Sequence, residues 1–221
     1  MPGHGILRTR MNASGRSDLF SRRRRSADPW ANDLSAASSS VTHDGSGIDG
    51  GRFFAAMTAA AFSETDPRRL IDIGLEQVRP DGEYARVINA VCDFHAQHPD
   101  DWHAAFADLK ANFGYDRYGG EVHIIPNAGV IALGMLYGAG DFSRTIQITN
   151  MCGWDTDCNV GNVGAILGGA VGVDGIDTHW ITPHNDHIVA ASLIGTRNIL
   201  TITECADLMV TAGRRLLGLE A

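Results

Sequence analysis

"NMCGWDTDCNVGNVGAILGGAVG", residues 150–172, sets Asp155 and Asp157 two positions apart and follows them with a run made almost wholly of small residues. Gly161, Gly164 or Ala165, Gly168 and Gly172 recur at helical spacing, so the run reads as a helix that begins near residue 158 and has one side-chain-poor face. Each interior glycine costs a helix up to ~1 kcal/mol relative to alanine. Several together call for a compensating close contact, and another helix lying against the bare face is the expected one.

The same helical punctuation extends outward in both directions. "GRFFAAMTAAAF" spaces Phe53 or Phe54, Met57, Ala61 and Phe62 at three- and four-residue intervals, and Pro67 breaks it. "RRLIDIGLEQV", "GEYARVINAVCDFHAQ" and "DDWHAAFADLKANF" repeat the theme, with Pro80-Asp81-Gly82 and Pro99 before Asp100 or Asp101 at the junctions. "PNAGVIALGMLYGAG" opens on a proline and closes on glycines, and Asp141 or Ser143 caps the next segment. "TITECADLMVTAGRRLLG" forms the last helix, started by Thr201 or Thr203. "TIQIT" (145–149) is the one place where a short strand competes. The expected fold is all-α, with short connections and no internal repeat.

Charge divides the chain. Its 221 residues carry a net charge of −8, but residues 1–40 hold about +4 and the remainder about −12. An acidic body lacks the dense Lys and Arg needed to neutralise a phosphate backbone, so no nucleic acid is expected as a partner. Residues 1–40, rich in Ser, Arg and Gly and including "SRRRRS", read as a disordered leader ahead of one helical domain over 41–221. No apolar run approaches the ~18 residues of a membrane span, so no membrane is expected. Cys92, Cys152, Cys158 and Cys205 form no CxxC pair, which suggests a reduced, cytoplasmic setting.

The paired aspartates carry the chemistry. In a loop, residues i and i+2 face the same way, and Gly153 allows a tight approach, so both carboxylates can converge on one hard cation. The alternative is that one carboxylate caps the following helix and the other is a favourable first-turn anion. An EF-hand loop fails, because Val160 stands where glycine is needed and Ile166 where a bidentate Glu is needed. A phosphate loop lacks its Gly-Lys-Ser/Thr. An aspartyl nucleophile of the D-x-D-x-T kind meets Asn159 at its fifth position, and the chain's one lysine, Lys110, lies upstream. His184 and His187 offer imidazoles three apart, but read as a polar surface; His95, His98 and His103 read as a solvated face.

"GWDTDCNVGNVGAILGGAVG" resembles the C-terminal signature of the ADP-ribosylglycohydrolase family, which consists of all-α metalloenzymes that remove ADP-ribose from modified proteins and related adducts. "SVTHDGSGIDGGRFFAAMTAAAF" (40–62) is similar to that family's Thr-His segment, and "GGEVHIIPNAGVIALGMLYGAGDF" (119–142) resembles the stretch before its metal motif. The resemblance spans about 41–210. It implies that Asp155 and Asp157 are ligands of a binuclear Mg²⁺ or Mn²⁺ site, with Cys158 standing where the family often has Thr. It further implies that Asn159 adds an amide oxygen and that His43 lies against the ADP-ribose, with Gly153 and Asn159 also expected at the substrate; Trp154 reads either as a ring stacked on an adenine or ribose or as a core residue. Asn127 reads as a helix-start residue, and His123 as a local hydrogen-bonding one.

The family's N-terminal Gly-Asp-Ala-x-Gly-like helix and Thr-Asp-Asp-Thr-like motif do not occur in residues 1–40. The chain therefore resembles the C-terminal portion of such an enzyme, N-terminally truncated. The expectation is a hydrolase acting on an ADP-ribosylated protein or an ADP-ribose-containing small molecule, weak or inactive as this chain. The competing expectation is a non-catalytic relative that keeps the scaffold for binding.

Overall fold

The computed structural model describes residues 29–120, 122–191, 195–216 and 218–219. Among these, ten α-helices and one two-stranded antiparallel ribbon are present, and no helix is long and apolar enough to cross a membrane. Among the described residues, those from 29 to 176 and those from Asp177 onward form separate compact units. The span read as one helical domain over 41–221 thus contains two such units.

The first unit is a bundle of α1 (Pro29–Ser39), α2 (Gly45–Ala61), α3 (Pro67–Leu75), α4 (Glu83–Gln97), α5 (Trp102–Phe113), α6 (Ile124–Gly138), α7 (Phe142–Met151) and α8 (Thr156–Val171). Its axis is α6, buried at every position from Ile125 to Gly138. A helix apolar all round has no solvent face and can only be surrounded; α4, α5, α7 and α8 pack against it. Gly134 and Gly138 permit the closest of these approaches. A β-carbon on either would collide with the Thr149 or Thr145 hydroxyl of α7. Those hydroxyls donate to the Thr145 and Asp141 carbonyls, so no polar group is stranded in the seam.

Helix starts follow the sequence cues. Asp66, Asp101 and Asp141 each accept a hydrogen bond from a first-turn amide, and Pro67 occupies the first turn of α3 instead of merely ending α2. On α2 the buried stripe is Phe53, Ala56, Met57 and Ala61, with Phe62 left exposed beyond its end. "TIQIT" lies within α7, so the strand alternative is overturned: Ile146 and Ile148 are both buried along with Thr145 and Thr149, a pattern of a wedged helix and not of a two-faced strand.

Two expectations about the first unit need correction. Residues 29–39 of the expected leader form helix α1, which packs on α2; the rest of that segment, residues 1–28, lies outside the described residues. Ser35 and Ser39 meet Gly51, a small-on-small contact that apolar periodicity does not reveal. The bare face of α8 also differs. Gly161 has nothing near its absent side chain, and Gly164 and Gly168 meet only ordinary contacts with Ile146, Phe142 and Ile176. The helix buries Asn159, Val163, Ile166, Leu167 and Ala170 instead.

The second unit contains α9 (Thr178–Ile181), the ribbon β1 (Ile188–Val189) with β2 (Ile199–Leu200), and α10 (Ile202–Leu216). Thr201 starts α10 through a reciprocal cap: its hydroxyl accepts from the Glu204 amide, and Glu204 accepts from the Thr201 amide. His184 and His187 lie in a 3-10 turn and the bend after it, exposed, rather than on a helix.

Candidate metal centre

The turn from α7 to α8 is built on left-handed backbone. Gly153 has φ +71°, and Asp155, the residue that enters α8, has φ +42° and ψ 53°. A capping aspartate normally sits in extended backbone, from which its carboxylate reaches the helix's free amides. In the left-handed conformation Asp155 makes no such bond. Asp157 follows inside the first turn of α8, exposed. The two carboxylates therefore meet by a route other than the loop alternation expected from their spacing. Helix curvature and the left-handed entry bring them together.

Donor atoms of Asp155, Asp157 and Cys158 lie within 4.8 Å of one another. Asp155 is half-buried and the other two are exposed, so the cluster opens to solvent. The Cys158 thiol is pushed above its ordinary range, first by its hydrogen bond to Asp155 and then by burial and the two carboxylates. Asn159 is buried at 1% exposure; its Nδ2 donates to the Trp154 carbonyl at 2.8 Å, while its Oδ1 has no hydrogen-bond partner among the described residues. Such an orphaned buried amide oxygen is a costly thing to leave dry.

Sequence reasoning missed two residues of the site. Asn127, buried at 7% exposure, donates from Nδ2 to Asp155 Oδ2 at 2.5 Å. Tyr115 in turn donates its phenolic proton to Asn127 Oδ1. Burial, followed by the charge on Asp155, pushes the Tyr115 phenol up to about 12. Asn127 does stand near the start of α6, as its position suggests, but its side chain faces the carboxylate 28 positions away. Only the polar Asn among the apolar residues of that helix hints at this.

The other candidates divide. Trp154 is half-buried, with its ring 5.0 Å from Phe106 and 4.8 Å from Tyr115, and walls one side of the turn. Gly153 is exposed beside it. His43 is exposed in the turn before α2, in a hydrogen bond with Thr42 at 2.7 Å, and is not among the clustered donors. His123 accepts from the Ile125 amide as the cap of α6 and stacks on Tyr118 at 4.5 Å, a local role as read. His95 departs from the solvated face expected of it: its ring packs edge-on against Tyr137, and burial lowers its pKa.

A family model described as ADP-ribosylglycohydrolase matches residues 21–209, most of the chain. The chain belongs to the ADP-ribosylglycohydrolase family. No curated protein and no solved structure gives a significant match. The all-helical bundle agrees with the fold of this family, and the matched segment includes the whole Asp155 cluster. Family membership supports a glycohydrolase-type activity on ADP-ribosylated substrates in general.

The donor set fits a divalent cation. Two carboxylates, with the unpartnered Asn159 oxygen next in the chain, are hard ligands of the kind Mg²⁺ and Mn²⁺ take. The Cys158 thiol is soft and ill-suited to Mg²⁺.

Proposed function

We propose that this chain is a metal-dependent hydrolase of an ADP-ribosyl glycosidic bond, with Asp155 and Asp157 as ligands of a Mg²⁺ or Mn²⁺ centre that is binuclear when complete. One observation carries the reading. Asp155 enters α8 without capping it, and its carboxylate turns to meet Asp157 and Cys158 within 4.8 Å. Asp66, Asp101 and Asp141 bond to a first-turn amide and Asp44 does not, but among these helix starts Asp155 alone sits in left-handed backbone with its carboxylate beside two further donors.

When bound, the cation would supply Lewis acidity toward ribose hydroxyls and offset charge that develops at the scissile bond. The chain's own residues have narrower tasks. Asp155 and Asp157 present negative charge at an open surface, and Trp154 offers a partly exposed aromatic face beside it for a ribose or adenine. Asn159 holds the turn through the Trp154 carbonyl. Cys158 occupies the third donor position as a thiol.

The test is release of ADP-ribose from peptides modified on arginine or serine, with Mn²⁺ or Mg²⁺ added. Metal-dependent release that disappears in Asp155→Ala and Asp157→Ala is the expected outcome. Metal uptake without any release would favour the alternative, a binding relative of the family. Release that is indifferent to both substitutions would remove the carboxylates from the chemistry.

A further inference from the structure

The bond between Asn127 and Asp155 has an orientation that chemistry dictates. An ionised carboxylate can only accept, so the Asn127 amide must turn its Nδ2 toward Asp155. That leaves Oδ1 facing Tyr115, whose hydroxyl fills it. Three separate elements supply the chain of bonds: the 3-10 turn Tyr115–Arg117, the first turns of α6 and the entry to α8. Each end is anchored independently. Arg117 donates from Nε (3.1 Å) and Nη2 to the Ala111 carbonyl, fixing the turn to the end of α5, and the Tyr115 ring packs on Trp154. Asn127 is set in α6, the most buried helix of the bundle.

We infer that Tyr115 and Asn127 are positioning residues that hold the Asp155 carboxylate in a fixed orientation toward the divalent cation. This rests on the metal-centre reading proposed above. The bond from Asn127 to Oδ2 fixes the orientation of the Asp155 carboxylate and favours its other oxygen for the cation, where the Cys158 thiol, also hydrogen-bonded to Asp155, would have to give way. Tyr115 works at one remove by keeping the amide from flipping. Without its proton donor, the Asn127 amide can rotate and set oxygen against carboxylate.

Two measurements on the full chain test this. The first is the Asn127 side-chain amide signal in a ¹⁵N–¹H spectrum without metal. It should lie away from that of a free amide and move in both Tyr115→Phe and Asp155→Asn. The second is Mn²⁺ affinity by calorimetry. Removing a residue that orients a metal ligand lowers affinity about 10–100-fold, which is the loss expected for Asn127→Ala. Tyr115→Phe, which keeps the ring on Trp154 and so the fold, should also weaken Mn²⁺ binding, by less than Asn127→Ala does. An Asn127 signal indifferent to both substitutions overturns the clamp. A responsive signal with Mn²⁺ affinity unchanged in both Asn127→Ala and Tyr115→Phe, yet lost in Asp155→Ala, overturns the positioning role while leaving the metal centre standing. No Mn²⁺ uptake by the unaltered chain removes the metal-centre reading and this role with it.

Discussion

Asp155 answers to two demands, a left-handed backbone that few side chains adopt and a hydrogen bond to a buried amide. Alanine fails both, whereas asparagine tolerates the left-handed backbone and still offers an oxygen. Asp155→Ala leaves Asn127 Nδ2 without an acceptor at a site of 7% exposure, and a buried unsatisfied donor costs about 1–3 kcal/mol. Asp155→Asn can still accept through its own oxygen. Urea unfolding without metal should therefore show the alanine variant destabilised by about that amount and the asparagine variant by under about 1 kcal/mol. Equal losses in the two would mean that the bond contributes nothing. At this scale the sequence was partly legible. The carboxylate pair and its neighbours Cys158 and Asn159 stand in one short stretch, and their chemistry could be named from their types. Tyr115 and Asn127 could not be found that way, because they reach Asp155 from elements that only tertiary packing brings near.

At the level of elements, helices announced themselves through caps and periodic apolar positions, and most starts fell where an aspartate or Thr201 stands. Glycine was harder to read. The conspicuous glycines of α8 are not the tight ones, whereas Gly134 and Gly138, inside a helix that looks merely apolar, are pressed on Thr149 and Thr145. Glycine composition does not reveal which helix lies alongside. A methyl group forced into that seam should cost about 1–3 kcal/mol, as overpacking of a filled core does. Gly138→Ala is expected to lower stability by this much in denaturant titration, while Gly161→Ala, where nothing stands within 4 Å, should be neutral or slightly stabilising. Similar effects of the two would contradict the α6–α7 seam. Helix α1 shows the other limit: serines against a glycine bury little apolar surface, so no hydrophobic stripe marked it.

For the whole molecule, the all-α class was legible because nearly every apolar run repeats at helical intervals, and the separate C-terminal unit was not, because α10 has the same periodicity yet buries no described residue. Tyrosine chemistry gives the bundle a pH limit. All four tyrosines, Tyr84, Tyr115, Tyr118 and Tyr137, are raised by burial first, the last three up to about 12. A raised folded pKa favours the protonated phenol. Its contribution is thus complete below the ordinary value near 10 and is lost as pH climbs toward about 12. Stability should fall across that window, with phenolate absorbance rising alongside unfolding. Tyrosines that ionise near pH 10 in a still-folded chain would contradict this burial.

The metal centre itself is tested most directly by anomalous diffraction from crystals of the chain soaked in Mn²⁺. The account predicts a manganese peak about 2.1 Å from one carboxylate oxygen each of Asp155 and Asp157. Manganese bound elsewhere, with Asp155 and Asp157 untouched by it, would contradict it.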